Sequence, residues 1–140
     1  MSSSETPTLT HHAMLVAWGQ FAHTLGLIPQ LEAVPLHQKT RIHRPQTKVL
    51  EFLVAILAGL PHLKDLSRAA HPLDQDAAVA QAWGQPAWAD YSGVSRSLAG
   101  LTQAEAAHIT LVLDRISQPF VDQEVMLALR GRGELIYDGD

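Results

Sequence analysis

Pro45-Gln46-Thr47-Lys48-Val49-Leu50-Glu51-Phe52-Leu53-Val54-Ala55-Ile56-Leu57-Ala58-Gly59-Leu60 is the stretch on which the fold turns. Proline suits the first position of a helix, where its missing N–H costs no bond. The side chains that follow are apolar on nearly all sides, the pattern of a helix buried in a core or in a dimer interface. Gly59 and Pro61 break the run before it reaches the length needed to span a bilayer. Glu51 is its one acidic interruption and is expected at the surface, where the helix dipole favours a carboxylate.

Toward the N-terminus, Val34 to Gln46 is a connector bounded by Pro35 and Pro45. Before it, His11 to Leu27 reads as a helix in which Met14, Leu15, Trp18, Phe21, Ala22 and Leu25 form one packing face. Gly26 and Pro29 end it, and Pro29 to Val34 add a further turn. Met1 to Thr10 is a polar, disordered lead with neither the basic nor the apolar region of a secretory signal.

Toward the C-terminus, the Gly59-Leu60-Pro61 turn leads to a shorter helix, His62 to Ala70, giving an αα-hairpin with Lys64 and Arg68 on one face. Asp74 to Trp83 follows as a short helix with Asp74 as N-cap. Asp90 to Leu101 is another, with Val94 and Leu98 buried; Gly93 within it costs about 1 kcal/mol relative to alanine. Thr102-Gln103-Ala104-Glu105 is a capping box opening the clearest helix, whose apolar face is Ile109, Val112, Leu113 and Ile116. Pro119 ends or kinks it, and Phe120 to Leu129 continues with Val121, Val125 and Leu129 on one side. Gly131 and Gly133 then release the chain into Glu134-Leu135-Ile136-Tyr137-Asp138-Gly139-Asp140, read as a short strand running into two carboxylates. The fold class is mainly α: a helical bundle over 11–130, with residues 1–10 as lead and 131–140 opening one strand.

The composition bounds the function. A chain of 140 residues, 46% of them apolar, suits one small globular domain. No cysteine is present, which excludes disulfide and thiolate chemistry. The net charge of -4 argues against a protein that coats nucleic acid without specificity. Between Lys39 and Arg68, however, the charge is +4, leaving -8 on the rest. That island holds Lys39, Arg41, Arg44, Lys48, Lys64 and Arg68, and reads either as a track for a phosphate backbone or as a solvated face. The 8 histidines lack the spacing of a zinc set, and no phosphate loop, nucleophile elbow or internal repeat occurs. Asp138 and Asp140, two apart, fall on one side of a strand, as carboxylates facing a magnesium ion do. On spacing alone the same Asp-Gly-Asp is an ordinary turn or tail, and two carboxylates do not complete a metal site.

Three segments, in order, resemble the front end of insertion-sequence transposases of the DDE type. They are Val49 to Leu60 with its His62-Leu63-Lys64-Asp65-Leu66-Ser67-Arg68 continuation, Tyr91-Ser92-Gly93-Val94-Ser95-Arg96-Ser97-Leu98, and Leu135 to Asp140. The resemblance implies a helix-turn-helix-like element over Asp90 to Leu101, with Arg96 on a guanine edge or phosphate and Ser92 and Ser95 on phosphates. On its own, Arg96 also reads as a solvated arginine on a packing helix. The resemblance further implies that the last strand opens an RNase H-like catalytic domain, with Asp140 as the first triad acid and metal ligand and Asp138 as the alternative. In the whole enzyme, Mg2+ would serve cleavage and strand transfer at double-stranded transposon ends. A homo-oligomer in the bacterial cytoplasm, associated with the nucleoid and not with a membrane, is the expected setting. The family's aspartate precedes a small residue and a threonine, and neither these nor the second aspartate and the glutamate have counterparts here. The rival expectations are a stand-alone helical DNA-binding regulator and a non-enzymatic assembly module. With only one end of the triad present, the purified 140-residue chain is expected to leave supercoiled plasmid intact in magnesium. Magnesium-dependent nicking by the unaltered chain that is lost when Asp138 and Asp140 are replaced would count against this.

Overall fold

The computed structural model describes residues 9–38 and 42–132. Within them the regular structure is helical: α1 (Ala13–Leu25), α2 (Leu27–Glu32), α3 (Pro45–Leu57), α4 (Asp65–Arg68), α5 (Ala77–Ala82), α6 (Tyr91–Ala99) and α7 (Gln103–Arg132), with a 3-10 turn at Leu73–Gln75. The mainly helical expectation is met. The strand expected over Glu134 to Asp140, with Asp138 and Asp140, lies outside the described residues, as do Lys39 and Arg41.

The long apolar stretch does form the central helix. Arg44 is extended and Pro45 opens α3, whose Leu50 and Val54 are fully buried. α3 packs on α6 and α2, α1 on α5 and α2, α2 on α7, and α4 on the 3-10 turn and α6. Ile28, Leu31, Leu66, Leu73, Val79, Trp83 and Val94 carry those contacts into one core. α1 crosses α5 closely. There Trp83 Nε1 donates to the Leu15 carbonyl at 3.0 Å, and a Cβ on Gly19 would lie 2.8 Å from the Trp83 ring and 2.9 Å from the Ala82 carbonyl oxygen.

Several boundaries move for identifiable reasons. α1 stops at Leu25 because Gly26 takes a left-handed φ of 75° and caps it. The buried stripe of α1 is Leu15, Gly19 and Ala22, so the single face expected from Met14 to Leu25 splits in two: Met14, Trp18 and Phe21 form a second, exposed stripe. The expected helix His62 to Ala70 shrinks to Asp65–Arg68. Asp74 does not cap α5. Asp76 does, accepting from the Val79 N–H at 3.0 Å, while Asp74 accepts from the Ser67 hydroxyl at 2.7 Å. Glu51, expected at the surface, is fully buried. Pro119 neither ends nor divides the last helix: α7 runs 30 residues through it.

The capping box at its start is formed as read. The Thr102 N–H donates to Glu105 Oε1 at 2.9 Å, and the Glu105 N–H donates to Thr102 Oγ1 at 3.1 Å. Glu105 also accepts from the His37 N–H at 2.7 Å and contacts His37 Nδ1 at 3.0 Å. The Thr102 N–H and His37 together hold its carboxyl down at about 2. Gly19→Ala tests the α1–α5 crossing. Alanine is the better helix former by about 1 kcal/mol, yet the variant is expected to lose roughly 1–3 kcal/mol of stability by overpacking, read as a lower urea midpoint.

Candidate nucleic-acid interface

α6 owes its start to Asp90, whose Oδ1 accepts the Gly93 N–H at 2.9 Å while Oδ2 accepts the Ser92 hydroxyl at 2.9 Å. Gly93 fits because the helix is crowded there: a Cβ would meet Asp90 Oδ1 at 3.1 Å and Lys48 Cε at 3.7 Å. Gly93, Val94 and Ser97 face the core, leaving Ser95, Arg96 and, in part, Ser92 on the outer face. The outer face is therefore the one that carries the polar side chains of the quoted segment.

Two cations from distant parts of the chain meet the first turn of this helix, and a third stands in its last turn. Lys48 arrives from α3 beside Gly93, and Arg96 comes from α6 itself. Arg68 reaches over from α4, its guanidinium 5.2 Å from the Tyr91 ring centre and donating to the Tyr91 hydroxyl at 3.0 Å. Asp90 sits among them. Its carboxyl is held below the usual range by the Gly93 N–H first, then by the Ser92 hydroxyl, with Arg96 and Lys48 adding their charge. Ser92, already donating to Asp90, has its proton committed inside the turn.

The remaining basic residues are placed elsewhere. Arg44 donates to Glu32 Oε2 at 2.9 Å across the α2–α3 junction. That carboxylate also accepts from buried Gln85, whose Oε1 receives the Thr47 hydroxyl at 2.6 Å. Lys64 is exposed on the turn before α4. The segment entering the connector is fixed to the far end of α6 by Gln38, whose Nε2 donates to the Ser97 carbonyl at 2.7 Å. Among the described residues no group of three or more histidine, aspartate or glutamate side chains is placed to hold a metal ion, and no helix is long and apolar enough to cross a membrane. Compared with family models, curated proteins and solved structures, the chain finds no match.

Beneath the cationic turn lies the group that sequence reasoning misplaced. Glu51 Oε1 accepts the Ala89 N–H at 2.7 Å, just before α6 begins. Its Oε2, Asp74 Oδ1 and Trp88 Nε1 are all buried and make no hydrogen bond with the described residues. Burial pushes the Glu51 carboxyl up to about 8, with the charges of Asp74 and Asp90 adding to the effect against the Ala89 N–H and Lys48. Its position, six residues beyond Pro45, looked like a surface interruption, and nothing near it in sequence pointed to Ala89, to which it is bonded.

The sign of its titration gives a test. A carboxyl at about 8 in the folded chain against 4.5 in the free one means that, between those values, the folded form holds the extra proton. Its contribution to stability is therefore greatest below pH 4.5 and falls as pH rises, by up to about 1.4 kcal/mol per unit, levelling above 8. Glu51→Gln keeps an oxygen for the Ala89 N–H and removes the titration. Urea unfolding at pH 5 and pH 8 is expected to show the variant losing less stability than the unaltered chain over that interval; equal losses would contradict a buried neutral carboxyl.

Proposed function

We propose that this chain is the DNA-contacting and self-associating front end of a DDE-type transposase, with α6 as the recognition element of a helix-turn-helix-like unit. The observation that carries the reading is the placement of Lys48 and Arg68 at the first turn of α6 and of Arg96 in its last turn, along an outer face bearing Ser92 and Ser95. Such a set fits the two tasks of a duplex reader: cations toward phosphates for affinity, and a short helix face of small polar residues for close approach. Arg96, exposed and without an ion pair among the described residues, is the side chain best placed for a guanine edge. Asp90 limits the site. It occupies the helix N-terminus that a phosphate would otherwise use, so the phosphates lie along the Lys48 and Arg68 flank.

In the whole enzyme, carboxylates including Asp140, or Asp138 in its place, would hold Mg2+ for cleavage and strand transfer. A second reading, the assembly module, draws on the apolar side chains that α1 and α7 leave exposed. Both readings share self-association and differ in DNA.

The test is a gel shift on duplex DNA across a salt series. Arg96→Ala and Lys48→Ala are each expected to weaken binding, the latter reducing the salt slope by about 1, and Arg96→Ala also narrowing the margin between preferred and random duplex by roughly 1–3 kcal/mol. An unaltered chain that shifts no duplex at low salt would leave the assembly reading in its place.

A further inference from the structure

The second half of α7 is a helix without a body beneath it. Ile109, Val112, Leu113 and Ile116 seat its first half on the core, and α2 is its main neighbour. Beyond Pro119 the helix continues to Arg132, about 20 Å at roughly 1.5 Å per residue. Val121 is 51% exposed, Val125 43%, Met126 50% and Leu127 51%. Large apolar side chains left exposed in this way along one helix mark a surface that a partner covers. Proline inside a helix costs about 3 kcal/mol, and short helices are marginal in water without tertiary packing, so continuation through Pro119 calls for cover that the described residues do not give.

The charges on this arm say what the cover is. At 3.6 residues per turn, Val125 and Leu129 point away from the stripe that seats the first half, with Met126 beside them. Asp122, Met126 and Arg130 follow one another at four-residue steps along the edge of that outward face. Asp122 and Arg130 therefore stand four residues either side of Met126, and neither is in an ion pair among the described residues. Asp122 Oδ1 accepts from Gln118 at 2.9 Å, leaving its other oxygen uncommitted. An antiparallel pair of arms related by a twofold axis at Met126 sets each Asp122 against the other copy's Arg130, with Val125 and Leu129 between them. A parallel pair would set like against like.

We infer that the arm is the dimer interface: two copies of this chain pair antiparallel through Val125, Met126 and Leu129, with Asp122 and Arg130 fixing the register. The inference rests on the self-association half of the proposed function and is independent of DNA contact. Sedimentation of the full chain and of Asp122→Arg, Arg130→Asp and the double exchange tests it, with circular dichroism to confirm that each is helical. The unaltered chain is expected to be a dimer, each single reversal to weaken it by tenfold or more, and the double exchange to restore it to within about threefold. A monomeric unaltered chain at its highest soluble concentration would overturn both this inference and self-association. A dimer indifferent to the single reversals would overturn this interface and leave self-association standing through another surface. Weakening that the double exchange does not repair would overturn the antiparallel register.

Discussion

The hydrogen bond from the Ala89 N–H to Glu51 Oε1, 2.7 Å long and buried, joins the central helix to the point where α6 begins. Its consequences run in two directions. Downward, it places a carboxyl inside the core, where charge is costly and the neutral acid is favoured. Upward, it fixes the chain one residue before Asp90, which then caps α6 and stands between Lys48 and Arg96. The outer face of α6 is thus positioned by a polar contact inside the core. An apolar residue at position 51 would remove the desolvation cost but leave the Ala89 N–H without its acceptor, a loss of about 1–3 kcal/mol for a buried donor.

What the sequence made legible was what local rules govern. The capping box at Thr102, the proline opening α3 and Gly26 as the end of α1 all depend on residues within four positions of one another. What it hid was what depends on distant partners. Met14, Trp18 and Phe21 have the same spacing as Leu15, Gly19 and Ala22, and only the arrival of Trp83 at Gly19 decides which stripe is covered. Glu51 has the same character: no neighbour in sequence announces Ala89, 38 positions on. Arg68 and Tyr91 meet through an approach of α4 to α6 that neither segment encodes alone. Lys48 and Arg68 were legible only as members of a charge island that did not reach Arg96 and from which Arg44 drops out to Glu32.

Pro119 shows the limit of a residue rule. Proline removes one N–H and crowds the carbonyl four residues back, and periodicity alone could not decide between an end and a kink. The helix passes through with firm packing only up to the proline and its neighbour: Ile109 to Ile116 are seated on the core and Phe120 meets Phe21 edge-on at 6.4 Å, while Val121 to Leu127 stand exposed beyond them. The edge contact also joins the exposed stripe of α1 to the root of the arm.

The arm and the cationic turn are carried by different helices, α7 seated on α2 and α6 seated on α3 and α4. That separation matters for how a small chain with a net charge of -4 would hold DNA at all. Three cations beside an aspartate give one α6 face little sequence-independent affinity, because each phosphate contact is worth only its released counterions. Two faces held together by paired arms act at the effective concentration set by the dimer, and linked weak contacts can exceed a single one by about 10²–10⁴ without any new interaction. A twofold axis through the arms also makes the two faces equivalent, the symmetry that half-sites related by a twofold in DNA require. Self-association and DNA contact are, on the proposed reading, one physical problem: the acidic remainder of the chain would keep a lone copy from binding indiscriminately, and the apolar arm would supply the second copy that makes specific binding strong enough to matter.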